Sequence, residues 1–400
     1  MLRSLSMRIC IGGKNNIAVD VCKYIKEYYP EIEIFAIPTK GDDGIDGFQR
    51  SFKKYARENG VGIVSLKDVY EWDDLIFLST EFDRIIRPDR FKSKELFNIH
   101  FSKLPKYKGC HTAAMPILNG EKLTGVTFHL MEAGIDTGDI IDQRDLLIES
   151  NDTCGSLYLK LIKLGTEVVI ANIERVINHS FKTYPQPIDD SSYFPRTDID
   201  YANNAIDYNR TALQIDRQIR AYSFRAYQLP KFNETQIVST KVTSYKSTEK
   251  PGSVISEDAN TIRIGTIDYD VILYKERMID IFGYVKGGDL RSLKQVENLV
   301  DYIHEHETTH GWTLLMVAAY NAQYEVANYL LSLGSDINAR NYKGTTVIMY
   351  AKDGMINSND DKLFNYLLDR GANPYLKDYS GKNLFEYVGD ELKYKLIGVK

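Results

Sequence analysis

Apolar positions near the start of the chain fall into short runs separated by stretches of helical spacing. Arg8–Ile11 is a β-type run that ends at Gly12 and Gly13, after which Ile17, Val21, Tyr24, Ile25 and Tyr28 recur on one helical face. Four more runs, Glu31–Pro38, Val61–Leu66, Leu75–Thr80 and Leu96–His100, alternate with helical stretches such as Gly47–Gly60. Strands alternating with helices predict an α/β domain with a parallel, helix-covered sheet, whose ligands sit beyond the carboxyl ends of the strands. A helix is predicted over Thr153–Ser180, and the polar, proline-bearing Tyr184–Asp200 reads as a linker at a domain boundary. Beyond it come a helix over Asn209–Ala221 and alternating strands at Gln236–Ser244, Gly252–Ile255, Thr261–Gly265 and Asp268–Tyr274, a small β-rich unit. From about Gly287 the spacing is helical again. Three domains are expected, at residues 1–195, 196–286 and 287–400.

Composition agrees with several folded units, because 400 residues exceed what one hydrophobic core organises, and 43% hydrophobic residues with 11 prolines are those of a globular chain. A net charge of −5 gives no electrostatic footprint for a nucleic-acid partner. Cys10, Cys22, Cys110 and Cys154 form no C-x-x-C pair, the pattern of a reducing compartment. The opening Met1–Arg8 has no apolar core and no run of 18 apolar residues occurs, so a cytoplasmic protein without a membrane partner is expected.

The helical tail repeats. His310-Gly-Trp-Thr-Leu-Leu-Met-Val-Ala-Ala, Val326–Leu331 and Gly334-Ser-Asp-Ile-Asn-Ala recur as Lys343-Gly-Thr-Thr-Val-Ile-Met-Tyr-Ala, Phe364–Leu368 and Gly371-Ala-Asn-Pro. The turn glycines Gly311 and Gly344 lie 33 residues apart, and Gly381 follows after 37, the excess fitting the polar insertion Asn357–Asp361. This resembles ankyrin repeats, with Leu314 and Val347 in place of the proline and Met316 and Met349 in place of the histidine. Two repeats need capping, for which Leu290–Ile303 and Gly381–Leu396 are the natural segments.

Chemistry concentrates in Asn98-x-His100-x-Ser102-x-Leu104-Pro105 with Tyr107 and Gly109, directly after a strand, and in Gly134-Ile-Asp136-Thr-Gly138 downstream. Asn98 and His100 are two apart on a strand and point to one face, and a carboxylate from a later loop can orient the imidazole. With Asn119-Gly120 and Gly125-Val-Thr-Phe-His129, these blocks resemble the signature of the formyltransferases that use 10-formyltetrahydrofolate, over roughly residues 8–285. The departure is Cys110-His111-Thr112, where many relatives carry other residues.

The resemblance implies a Rossmann-like catalytic domain in which His100 is the general base toward an acceptor amine, Asn98 hydrogen-bonds the formyl oxygen and Asp136 orients His100. It places folate as co-substrate near Phe77, Leu78 and Ser79 and the backbone from Ile135 to Ile140, with no metal. An acidic chain with an ankyrin-like tail fits a tRNA acceptor poorly. Asp207-Tyr-Asn209 through Ile219–Phe224 resembles the start of the second domain of nucleotide-sugar formyltransferases. That branch implies a homodimer serving surface-polysaccharide (O-antigen) synthesis and a dTDP-linked amino-dideoxyhexose acceptor, foremost dTDP-3-amino-3,6-dideoxyglucose, with the 4-amino isomer, another amine, or a catalytically silent ankyrin-based binding protein as alternatives. Lys14, Tyr107, Arg196, Arg220, Tyr222 and Phe224 are the candidates for diphosphate and base. Gly12-Gly13-Lys14-Asn15 lacks the dinucleotide and NTP-loop patterns, and His304, His306 and His310 have no accompanying cysteine for a metal. Trp312, at the variable position of an ankyrin-like turn, is the candidate for a second ligand or a protein partner, against a plain surface tryptophan lying on its own repeat.

Overall fold

The computed structural model describes residues 7–187, 189–203 and 205–388. By chain contacts it divides into two compact units, one of residues up to Ile255 with Arg263–Ile272, the other of Ser256–Ile262 and the chain from Leu273 on.

In the first unit the elements run β1 (Arg8–Gly13), α1 (Asn15–Tyr28), β2 (Glu33–Pro38), α2 (Phe52–Glu58), β3 (Gly62–Ile63), α3 (Leu66–Val69), β4 (Leu75–Thr80), β5 (Glu95–His100), β6 (Lys108–Gly109), α4 (Ala114–Leu118), β7 (Leu123–Leu130), β8 (Ile140–Leu147), α5 (Cys154–Ile177) and β9 (Tyr193–Phe194). The main sheet has the order β3-β2-β1-β4-β5-β7-β8. β1 to β5 are parallel, as their apolar runs predict, and β7 and β8 add an antiparallel hairpin that the sequence reading did not contain. β4 is buried at every position and β1 at all but Arg8, because both lie inside the sheet and helices cover it. α5 packs Leu157, Leu161, Val168, Val169 and Ile173 into the core shared with Ile9, Ile11, Phe97 and Phe128. Its start is fixed by Thr153, whose hydroxyl accepts from the Ser156 amide at 3.2 Å.

Tyr184–Asp200, expected as a linker, is folded onto the rest of the catalytic fold. Tyr184 bridges Ile140, β9 pairs in parallel with β6, and the Ser192 amide donates to Pro105 O at 3.3 Å. Its polar residues supply hydrogen bonds to neighbouring loops, whereas a linker would give them to water. After it come α6 (Ala212–Tyr222) and β10 (Lys231–Phe232), β11 (Thr235–Lys246), β12 (Val254–Glu257), β13 (Thr261–Ile264) and β14 (Tyr269–Lys275), in a sheet of order β10-β11-β14-β13-β12.

The second unit carries α7 (Met278–Gly287), α8 (Leu290–Lys294), α9 (Leu314–Tyr320), α10 (Tyr324–Ser332), α11 (Val347–Ser358) and α12 (Lys362–Asp369). The repeat turns stand where the sequence places them: Gly311, Gly344 and Gly381 all have positive φ. α9 is buried at every position from Leu314 to Ala319, and α11 crosses it through Gly354, where a Cβ would meet Ala319 O at 2.2 Å. Of the expected C-terminal cap Gly381–Leu396, residues 389 onward lie outside the described residues.

Candidate active site

Asn98 and His100 end β5 and point to the same face, since alternate residues of a strand do. Asn98 is paired in register with His129 of β7, and a register shift between Phe128 and His129 re-aims that histidine. Asp136 arrives on the loop between β7 and β8 in a left-handed conformation, φ 53°. Such a conformation costs an ordinary residue about 1–2 kcal/mol and persists where surrounding bonds hold it.

Four side chains converge. His100 Nδ1 lies 3.5 Å from Asp136 Oδ2 and His129 Nε2 3.8 Å from Asp136 Oδ1. Asn98 Nδ2 lies 3.1 Å from His129 Nε2 and 3.5 Å from Asp136 Oδ1. The Gly109 amide donates to Asp136 Oδ2 at 2.9 Å. His100 and His129 are 7% and 1% exposed, so their partners define their tautomers. A carbonyl only accepts: His100 Nε2 carries the hydrogen it gives to Tyr107 O at 2.8 Å, and His129 Nδ1 the hydrogen it gives to Leu130 O at 2.7 Å. That leaves His100 Nδ1 facing the carboxylate as the nitrogen that takes up a proton. His129 Nε2 is an acceptor, which fixes the Asn98 amide with its NH2 inward. Burial pushes His129 well below the ordinary histidine value of 6.5, with Asp136 opposing and His100 assisting. It stays neutral and keeps its bond from Asn98.

The Asn98–His100–Asp136 trio predicted from sequence is therefore one cluster. His129 belongs to it as well; the sequence reading quoted this residue in a motif but gave it no role, and the missing signal was the β7–β8 hairpin that sets it opposite Asn98. Tyr107, proposed as a substrate contact, is 5% exposed: its carbonyl holds His100, its hydroxyl donates to Glu121 at 2.9 Å and its ring stacks on Phe194. Phe77 and Leu78 are core residues, Phe77 packing on Phe82 and Phe91, and Ile140 is 1% exposed, so the side chains of these three expected folate contacts are used in packing. Ser79 is buried and Ile135 exposed. Lys14 is half-buried at the start of α1 and its charge acts on the half-buried Glu81, whose carboxyl accepts from Asn15 at 3.1 Å and Tyr158 at 2.9 Å. Arg196 is exposed and accepts from His111 through its carbonyl at 3.0 Å. Arg220 is held by Asp216 at 2.9 Å and Asp152 O at 3.0 Å, which ties α6 to the turn before α5. Tyr222 packs against Tyr201, and Phe224 against Phe48, Tyr158 and Tyr227. Trp312, in the second unit, lies on Tyr350 and Tyr320 with ring centroids 4.3 and 5.3 Å away. Among the described residues no cluster of His, Cys, Asp and Glu suits a metal ion, and no helix is long and apolar enough to cross a membrane.

The Formyl transferase family matches residues 65–173, its C-terminal domain matches 198–278, and Ankyrin repeats (3 copies) match 289–378. The solved structure of WlaRD, a sugar 3N-formyl transferase with dTDP and 5-N-formyl-THF, is 42% identical and covers 68% of this chain and 98% of that one, with a TM-score of 0.63. The N-formyltransferase from Helicobacter canadensis, solved with folinic acid and dTDP-3-aminofucose, is 39% identical over 68% of this chain and 100% of that one, TM-score 0.62. Methionyl-tRNA formyltransferase of Clostridioides difficile (strain 630) is 27% identical over 307 residues, 72% of this chain and 98% of that protein. These likenesses define the class first: the protein is an N-formyltransferase, an enzyme that moves a one-carbon group. The chain belongs to the sugar N-formyltransferase family.

Proposed function

We propose that the protein transfers the formyl group of 10-formyltetrahydrofolate to the amine of a dTDP-linked amino-dideoxyhexose, foremost dTDP-3-amino-3,6-dideoxyglucose, for surface-polysaccharide synthesis. The observation that carries the reading is the buried convergence of Asn98, His100 and Asp136. The two similar structures, solved with dTDP or a dTDP-3-amino sugar and a formylated folate, support the choice of ligands.

The amine nitrogen attacks the formyl carbon and a tetrahedral intermediate forms. Of the two Asn98 amide hydrogens, His129 holds one closely, and the other, only loosely met by Asp136 at 3.5 Å, turns to the developing oxyanion. The proton leaving the amine goes to His100 Nδ1, where the Asp136 carboxylate stabilises the imidazolium. The bond from carbon to N10 of the folate then breaks as the proton on His100 passes to N10, and the formamido sugar and tetrahydrofolate leave with His100 neutral again. The substrate brings its own nucleophile, so no covalent enzyme intermediate is needed.

Residues 1–195 would form the catalytic domain, 196–286 the small β-rich domain that helps dimerise the enzyme in the cytoplasm, and 287–400 the ankyrin domain, with Trp312 offering a face for a second ligand or protein. The test is incubation with 10-formyltetrahydrofolate and a panel of nucleotide-linked 3-amino and 4-amino sugars, with product mass as readout. A gain of one formyl group on a 3-amino sugar is expected, and a His100→Ala variant should lose at least 100-fold in kcat. Product only from a 4-amino sugar would move the acceptor. Folate binding without turnover on any member would favour a silent binding protein.

A further inference from the structure

The Asp136 carboxylate is useful only if its loop stays where it is, and the Leu130 amide, which donates to Asp139 O at 2.9 Å, closes that loop only at its base. Asp136 has positive φ, and most residues from Glu132 to Thr137 are exposed. The backbone at Asp136 itself is held from 50 residues away. Gln186 Nε2 donates to Asp136 O and to Gly138 O, both at 2.8 Å, so one side-chain amide grips the loop on both sides of Thr137. Its Oε1 is buried and has no hydrogen-bond partner. An unpaired buried acceptor costs about 1–3 kcal/mol, and flipping the amide would turn that oxygen toward two carbonyls, so the orientation is dictated by the loop.

Gln186 lies on the segment that also braces the opposite side of the site. Ser192 Oγ accepts from the Tyr107 amide at 2.8 Å, and the Lys108 and Cys110 amides donate to Ser192 O and Phe194 O at 2.9 and 2.8 Å. Tyr107 O in turn holds His100. One strap, the described residues 184–187 and 189–194, thus sets both members of the His100–Asp136 pair, the histidine through Tyr107 and the carboxylate through Gln186.

We propose that Gln186 is a positioning residue for formyl transfer, holding the Asp136 loop so that the carboxylate meets His100 Nδ1 and the Gly109 amide. This rests on the reading of the His100–Asp136 pair given above, and its test includes a readout that needs no turnover. In Gln186→Leu, and in the isosteric Gln186→Glu at pH 8, where the carboxylate cannot donate, kcat falls tenfold or more while KM for both substrates stays within twofold, because a misaligned proton acceptor slows chemistry more than binding. By amide hydrogen exchange, Gly109, whose N–H is held by Asp136 itself, loses at least tenfold in protection. Lys108 and Cys110, held by the strap backbone, keep theirs. Unchanged exchange at Gly109, or equal loss at all three amides, would overturn the proposal whatever the kinetics. So would an unchanged kcat with only a lower Tm, which would make Gln186 a structural brace. If the native enzyme formylates no sugar in the panel, the functional reading fails and the exchange pattern still decides whether Gln186 holds the loop.

Discussion

His129 does for Asn98 what Asp136 does for His100: it fixes which atom faces the chemistry. The bond from Asn98 Nδ2 to His129 Nε2 at 3.1 Å exists only while that nitrogen is unprotonated. Replacing His129 with leucine should leave the Asn98 amide free to rotate and reduce kcat about 10- to 100-fold, within what a lost or displaced oxyanion donor costs. A kcat within twofold of the native enzyme would count against that role. The same residue makes stability depend on pH. Its imidazole sits below 6.5 in the folded protein, chiefly through burial, and near 6.5 in the unfolded chain. As pH falls from 6.5 toward the depressed value, the unfolded chain takes up a proton that the folded one refuses, so this contribution is present above 6.5 and lost below it. Urea midpoints at pH 7.5, 6.5 and 5.5 should decline, and more steeply in the native protein than in His129→Leu; equal slopes would refute the assignment.

Among the elements, α11 is the one whose sequence looks wrong for a helix until its neighbour is considered. Gly354 is interior, where alanine is ordinarily about 0.5–1 kcal/mol better. Here a Cβ would meet Ala319 O at 2.2 Å and Tyr320 O at 3.0 Å, so Gly354→Ala should push α11 off α9 and destabilise the repeat unit by about 1–3 kcal/mol. A stabilised variant in a urea titration would show that the helices can separate freely. The parallel strands were legible because each is a continuous apolar run, and the ankyrin turns because glycine spacing survives substitution of the proline and histidine. The β7–β8 hairpin was not. β8 reads IIDQRDLL and is mostly half-exposed, and β7 carries Gly125 midway, which marks close approach to Arg144 O rather than a break. Missing the hairpin left His129 without its partner. The strap was misread for a related reason: prolines and acidic residues have linker composition, while its bonds run to residues 44 to 87 positions away, where no local periodicity records them. That Asn98, His100 and Asp136 meet was legible through motif resemblance, whereas the packing of Phe77 and Leu78, assigned by family position alone, and the ion pair of Arg220 with Asp216 were not.

At the scale of the whole chain, catalytic chemistry and repeat architecture occupy different compact units, and the net charge of −5 accompanies both. The sequence contains two tryptophans, and each unit holds one. Trp72 lies under the Arg8 guanidinium, 4.1 Å from its ring centroid, beside Phe35, while Trp312 lies among Tyr320 and Tyr350. The molecule therefore comes with one tryptophan fluorophore per unit. In Trp72→Phe the remaining emission reports the repeats, and in Trp312→Phe it reports the catalytic fold. Denaturation curves of the two variants should coincide if the chain melts as a single cooperative body and separate if each half melts on its own. A nucleotide or folate that quenches one dye and not the other would reveal which half it visits, without a label being attached.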